Sequence, residues 1–237
     1  MTTGLIDVHS HLLPGIDDGC KTIEESIACA QMLVDAGYTH SFCTPHVWPS
    51  LSQNNSHEIP RRVNELQKHL DHAGIALKLM PGGELNLGVH LLDSDFAVQP
   101  TYGMNGKYLL IDLWCDALPG YFGSIIRSFQ VLGRTIILAH PERMRAVQDS
   151  PELAETFASN GVLLQGNLGC FSDPPHADNR RTAEILLREN RYFMVGSDLH
   201  NPQSLPSRLE GLNVIRDLAG QETLDRLTKS NPMQLLA

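Results

Sequence analysis

Seven short apolar runs punctuate this chain, and longer amphipathic stretches separate them. The runs lie at Leu5–His9, Tyr38–Thr44, Ala76–Met80, Tyr108–Leu113, Thr135–His140, Val162–Gly166 and Tyr192–Ser197. Most hold β-branched or aromatic residues and are bounded by Gly, Pro or Asn, the pattern of a strand. Helical patterns cover Thr22–Ala36, Glu58–His72, Gly120–Leu132, Pro151–Asn160, Asp178–Asn190, Leu205–Leu218 and Gln221–Thr228. The first of these opens on a capping box, Thr22-Ile23-Glu24-Glu25. Ile23, Ile27, Ala30 and Val34 then fall at helical spacing, and Gly37 stops the pattern. Repeated βα units build a parallel sheet, which is a barrel when closed and a doubly wound sheet when open. The 237 residues show no linker or low-complexity stretch, so residues 1–237 read as one α/β domain. That length matches the roughly 200–250 residues of a single α/β barrel.

The residues at the end of each run are more informative than the run itself. The first ends Asp7-Val8-His9-Ser10-His11, the second leads to Thr44-Pro45-His46, and the third to Gly82-Gly83-Glu84. The fourth contains Asp112, the fifth ends on His140-Pro141-Glu142-Arg143, the sixth leads to Gln165-Gly166-Asn167, and the seventh ends Ser197-Asp198-Leu199-His200. Imidazoles and carboxylates therefore sit at the C-terminal ends of six strands out of seven. In a parallel barrel those ends converge on the face where active sites are built. His9 and His11 are two apart, so a strand would point both to one side and both could reach one ion. Asp198 and His200 repeat that spacing. In the turn Pro14-Gly15-Ile16-Asp17-Asp18-Gly19, one of the two carboxylates is placed to fold back onto the cluster. Arg143, on the loop above His140, is placed to bind an anion. Glu142, after Pro141, reads as a charge at a helix start. His40, His57, His69, His72, His90 and His176 lack strand-end placement and read as surface or packing residues.

Composition narrows the classes further. The chain is 42% hydrophobic, enough for a globular core. Asp and Glu number 27 against 18 Lys and Arg, for a net charge of -9, which argues against a nucleic-acid surface. No apolar run approaches the ~18 residues of a membrane span. The start, Met1-Thr2-Thr3-Gly4, has no basic or apolar leader pattern, so the expected location is cytoplasmic. The five cysteines contain no CxxC pair and suit neither a disulfide framework nor a zinc knuckle.

Taken together, these strings resemble the PHP (polymerase and histidinol phosphatase) superfamily. More narrowly, they resemble its CpsB/CapC branch of bacterial metal-dependent protein-tyrosine phosphatases, found with capsule and exopolysaccharide synthesis. The carrying strings are Asp7-Val-His-Ser-His-Leu-Leu-Pro-Gly-Ile-Asp-Asp-Gly19, Thr44-Pro-His46, Pro81-Gly-Gly-Glu84, Tyr108-Leu-Leu-Ile-Asp112, Ala139-His-Pro-Glu-Arg143 and Gly196-Ser-Asp-Leu-His-Asn201. The resemblance implies a distorted (β/α)7 TIM-like barrel holding three divalent ions, most often Mn, with Fe or Zn as alternatives. Its ligand pattern falls on His9, His11, Asp18, His46, Glu84, Asp112, His140, Asp198 and His200, and its phosphate-binding arginine on Arg143. Asp112 departs from the family's usual Glu and is one methylene shorter. The arginine that usually comes soon after the Asp-x-His-Asn string is missing at that spacing, with Arg208 the nearest.

The implied activity is hydrolysis of phosphotyrosine in protein. The family's usual substrate is the tyrosine-rich tail of a membrane-bound autokinase. His46 or His200 would then serve as general acid toward a phenolate leaving group, whose conjugate acid has a pKa of about 10. The four carboxylate ligands would carry four of the negative charges. Three divalent ions would more than offset them, so the pocket attracts phosphate only when loaded. Cysteine-based phosphatase chemistry is excluded, because it needs Arg six residues after the nucleophile. Here those positions hold Ser26, Asp35, Pro49, Tyr121 and His176. The alternatives are a histidinol-phosphate phosphatase or another small-molecule PHP phosphoesterase, an amidohydrolase-like enzyme cleaving C–N bonds, and a non-catalytic metal binder. Trp48, Trp114, Tyr121 and Phe171 are the expected pocket-rim residues that would set substrate size.

Overall fold

Parallel pairing organises the backbone of residues 4–237, the part of the chain described by this computed structural model. The strands are β1 Leu5–Ser10, β2 Tyr38–Cys43, β3 His46–Val47, β4 Lys78–Pro81, β5 Glu84–Asn86, β6 Tyr108–Asp112, β7 Thr135–Ala139, β8 Val162–Asn167 and β9 Tyr192–Gly196. The helices are α1 Ile23–Asp35, α2 Glu58–His72, α3 Phe122–Val131, α4 Arg145–Asp149, α5 Leu153–Ser159, α6 Leu168–Ser172, α7 Asp178–Arg188 and α8 Leu205–Asp225.

Two of the seven expected strands are each followed by a short further strand beyond their expected bounds, for local reasons. The second run stops at Cys43 and resumes as β3, because Pro45 between them has no N–H for a ladder. The third run stops at Pro81 and resumes as β5 after Gly82-Gly83. A Cβ on Gly83 would lie 2.6 Å from the Pro100 ring, so the chain passes there only without a side chain. The ladders β1-β2-β4 and β3-β5-β6-β7-β8-β9 are thus joined through β2 to β3 and β4 to β5. The two ends of this seven-position sheet also meet. Asp198 N donates to His9 O at 2.8 Å and His11 N to Leu199 O at 2.9 Å, with a parallel bridge between Ser10 and Leu199. The result is a distorted (β/α)7 barrel, pinned shut at its C-terminal rim.

Below that rim the interior is apolar. Ile6, Val8, Phe42, Leu110, Ile137, Ala139 and Met194 meet from five strands, with Tyr102 and Leu235 beneath them. Outside the barrel, α3, α5 and α7 cover β6 to β9, while α1 and α2 cover β1, β2 and β4. In α2 the buried residues Ile59, Val63, Leu66 and Leu70 recur at helical spacing. Burying each such side chain contributes about 1.5–3 kcal/mol. Thr22 caps α1 by accepting from Glu25 N, whereas the Glu25 carboxylate reaches Lys21 N rather than completing the box. The last two expected helices are one element interrupted at Gly220, which takes φ +83°. Among the described residues, no helix is long and apolar enough to cross a membrane.

Candidate metal centre

All nine expected ligand residues gather at this rim. His9 and His11 come from the end of β1, His46 from β3, Glu84 from β5 and Asp112 from β6. His140 follows β7, Asp198 and His200 follow β9, and Asp18 comes from the loop before α1. Seven of the nine are buried; His200 is partly exposed and the Asp18 side chain is 58% exposed. His140 and Asp198 both take left-handed backbone conformations, with φ of 34° and 49°. Non-glycine residues adopt these at a cost of about 1–3 kcal/mol, usually where a site requires it. Each is held there by its own amide: His140 N donates to Gln165 O, and Asp198 N to His9 O.

The donor atoms face one another at coordination distances. His9 Nε2 and His11 Nε2 lie 3.2 Å apart. Glu84 Oε2 lies 3.4 Å from His9 Nε2 and 3.5 Å from His11 Nε2, and Asp198 Oδ1 lies 3.4 and 3.3 Å from the same pair. On the outer side, Asp18 Oδ1 lies 3.3 Å from His46 Nε2 and 3.4 Å from His200 Nε2. Ligand atoms about 2.1 Å from one ion are separated by roughly 3.0–3.4 Å in octahedral or tetrahedral geometry. Three groupings bring one donor atom from each member within 4.8 Å of all the others: His9, His11 and Glu84; His11, Asp18, His46 and His200; and His46, Glu84 and Asp112. His140 Nε2 joins through Glu84 Oε1 at 2.9 Å.

The residues fit divalent ions for a second reason. His46 Nδ1, Glu84 Oε2 and Asp112 Oδ1 are buried and make no hydrogen bond. His46 Nδ1 and Glu84 Oε2 are only 2.8 Å apart yet lack hydrogen-bond geometry. Unpaired buried polar atoms are costly, and three aimed at common points are explained by ions that would satisfy them. Mixed imidazole and carboxylate donors suit Mn, Fe or Zn better than Ca.

Hydrogen bonds behind the ligands orient them. Gln165 Oε1 lies 2.7 Å from His9 Nδ1, so the proton sits on Nδ1 and Nε2 is left to face the cluster. Asp17 does the same for His11: its Oδ2 lies 2.8 Å from His11 Nδ1 and also accepts from His46 N at 3.1 Å. Of the two turn carboxylates, Asp17 is therefore buried behind the ligands and Asp18 faces His46 and His200. Asp7 accepts from Ser197 N and Oγ at 2.8 and 2.6 Å, tying β1 to the loop that carries Asp198. Glu142 does lie at a helix start, in the short 3-10 turn Pro141–Arg143, but not as a solvated charge. It is buried, accepting from Asn167 N at 2.6 Å and Tyr192 Oη at 2.9 Å. Asn167 in turn donates to Asp198 Oδ2 at 2.6 Å. Sequence reading placed Gln165 and Asn167 at a strand end without a role, because their partners lie far away in the chain.

Charge in the protein groups is strongly paired. Burial opposes ionisation of Glu84, but the neighbouring His9 imidazole and the bond from His140 outweigh it, holding Glu84 well below the carboxylate range. Asp198 is lowered in the same way by His9 and His11. Burial works against charge on His140 too, and the bond to Glu84 overcomes it, raising His140 to about 9. Asp112 goes the other way: burial, reinforced by the Glu84 charge, pushes it up to about 6. Burial opposes charge on Asp17, but its bond to His11, with the amides of Gly19 and His46, prevails and lowers it to about 2.

Two arginines overlook the cluster. Arg143 Nη1 lies 3.1 Å and Arg208 Nη1 3.3 Å from Asp198 Oδ2. Arg208 thus reaches the site from α8, although its chain position differs from the usual spacing. A cavity of about 360 Å³ opens over both, lined also by Asn167, Ser172, Asn179, Ser204 and Ser207. Trp48 stacks on His46, ring centroids 4.1 Å apart, and Trp114 stands exposed beside Arg143. The other two expected rim residues are not at the rim. Phe171 is fully buried against the barrel's outer core, and Tyr121 packs on that same core at the start of α3. The six remaining histidines, His40, His57, His69, His72, His90 and His176, join none of the three groupings.

Comparison with known proteins agrees with this geometry. The chain is 29% identical to the tyrosine-protein phosphatase YwqE of Bacillus subtilis, over 98% of this chain and 91% of that protein. It is 26% identical to the tyrosine-protein phosphatase CpsB of Streptococcus agalactiae, over 98% of each. It superposes with a TM-score of 0.89 and 27% identity, covering 98% and 94% of the two chains, on a structure described with YwqE from Bacillus subtilis and CpsB from Streptococcus pneumoniae as unique metal-dependent tyrosine phosphatases. The profile of the family described as capsular polysaccharide synthesis, CpsB/CapC, matches residues 5–237. This chain belongs to the CpsB/CapC family.

Proposed function

We propose that this protein hydrolyses phosphotyrosine in proteins, using three divalent ions, Mn foremost, held by His9, His11, Asp18, His46, Glu84, Asp112, His140, Asp198 and His200. The observation that carries this reading is the convergence of the nine donors, with unpaired buried atoms between them, beneath Arg143 and Arg208. Bound divalent ions would supply the positive charge that neutralises a phosphate dianion and would acidify a water to a nucleophile near neutral pH.

The chain's own groups supply the rest. Arg143, with its side chain 31% exposed, Nη1 on Asp198 and a place in the cavity lining, is the group proposed to hold phosphoryl oxygens. Arg208 does so from α8, sharing the same oxygen of Asp198. Gln165 and Asp17 hold His9 and His11 in the tautomers that leave Nε2 free. His46 and His200 flank Asp18 on the open side as proposed ligands, and His200 Nδ1 donates to Asp198 O, so neither imidazole keeps a spare proton to help the leaving oxygen. A phenolate needs that help less than an alkoxide would, because its conjugate acid has a pKa of about 10. The mixed polar and apolar lining of the 360 Å³ cavity suits a peptide carrying the phosphotyrosine, and the partner proposed is a bacterial tyrosine autokinase.

A substrate panel tests the reading. Purified protein supplied with Mn is expected to release phosphate from phosphotyrosyl peptides far faster than from histidinol phosphate or phosphoserine peptides. Preference for histidinol phosphate would replace this substrate class with a small-molecule one.

A further inference from the structure

We propose that Trp114 is a positioning residue whose one indole ring sets both the oxygen that Asp112 offers to an ion and the seat of the Arg143 guanidinium. The inference rests on the metal-centre reading above and adds a residue that reading does not use. Trp114 follows Asp112 by two positions, just beyond the end of β6. Its Nε1–H donates to Asp112 Oδ2 at 2.8 Å. The other oxygen, Oδ1, is buried and has no hydrogen bond, and Asp112 lies in the grouping with His46 and Glu84. One N–H therefore distinguishes two otherwise equivalent oxygens, keeping one occupied and leaving its partner free.

The ring's face does the second task. Arg143 Cζ lies over it, 4.7 Å from the centroid, a cation–π distance. Among the described residues, the Arg143 guanidinium is otherwise anchored only through Nη1 to Asp198 Oδ2, an oxygen that Asn167 and Arg208 also share. Without the ring, the guanidinium is free to collapse further onto Asp198 and withdraw from the cavity. Core packing does not explain this tryptophan, which is 54% exposed. Its edge and its face are instead each committed to a residue of the site, on the neighbouring strand ends of β6 and β7. Phenylalanine here would keep a face for Arg143 and lose the donor; leucine would lose both.

The test uses the full chain and two variants, Trp114→Phe and Trp114→Leu, with circular dichroism and melting of the metal-free forms confirming the fold. Mn affinity is measured by calorimetry, and inorganic phosphate affinity on Mn-saturated protein. For Trp114→Phe the weakest Mn site is expected to lose about 10–100-fold in affinity, as for other partners of metal ligands. Its phosphate affinity should stay within about twofold of the wild type, because the ring face is kept. Trp114→Leu is expected to lose Mn affinity equally and phosphate affinity by roughly three- to fivefold. Trp114→Phe binding Mn like the wild type overturns the role toward Asp112. Trp114→Leu binding phosphate like the wild type overturns the role toward Arg143. Wild-type protein that binds no Mn overturns the metal-centre reading itself, and this inference with it.

Discussion

His46 and Glu84 are direct register partners on β3 and β5, and their side chains meet at 2.8 Å without hydrogen bonding. Two strands of two and three residues exist at this point, and they bring together the pair that connects all three donor groupings. Glu84 also touches His9, His11 and His140.

Because Glu84 serves several partners, losing it should remove more than one ion. Glu84→Ala is expected to lower bound metal, counted by mass spectrometry of purified protein, by more than one equivalent per chain. Activity should fall by more than the roughly 10–100-fold typical of a residue behind the ligands. Full metal content in this variant would show that the groupings do not share Glu84.

The adjacent carboxylates Asp17 and Asp18 should separate cleanly. Asp18→Asn is expected to weaken one ion directly while leaving the metal-free protein's stability within about 0.5 kcal/mol, since the side chain is largely exposed. Asp17→Asn should destabilise the metal-free protein by about 1–3 kcal/mol, because its carboxylate holds His11 and two backbone amides. Chemical denaturation of both variants with chelator present measures the difference.

Metal uptake should release protons. Burial disfavours charge on His140, but the Glu84 bond prevails and holds its pKa at about 9, so at neutral pH the metal-free imidazole is protonated. An ion needs the neutral ring, so binding displaces that proton, and affinity rises with pH up to about 9. Calorimetry in two buffers of different ionisation enthalpy checks this, and identical heats in both would refute it.

Gly196 packs against a ligand. An added Cβ would lie 2.7 Å from His9 Cβ and 3.1 Å from its backbone N, so the strand carrying His9 would have to move. Gly196→Ala is expected to cost about 1–3 kcal/mol through overpacking and to reduce metal content. A fully loaded, equally stable variant would show that β1 can shift without disturbing the site.

Much of this architecture is legible in the sequence, and the rest is hidden for identifiable reasons. The strand ends carrying His9, His46, Glu84, Asp112, His140 and Asp198 stand out because apolar runs stop at metal-binding residue types. The separate β3 and β5 do not, because two or three residues carry no detectable period and their pairing depends on the breaks at Pro45 and Gly82-Gly83. Asp17 and Asp18 are indistinguishable in a string, and only the path of the turn sends one inward. Gln165 meets His9 across 156 residues, a contact no local pattern encodes. Phe171 reads as a plausible rim aromatic, but the turn of α6 carries it into the core instead.

The central claim is that phosphoryl transfer depends on ions held by this bowl. The most direct measurement strips the protein with a strong chelator and follows phosphate release from a phosphotyrosyl peptide as Mn is titrated back. The account predicts no release without metal, and recovery that saturates near three equivalents per chain. Undiminished release from protein shown to be metal-free would contradict it.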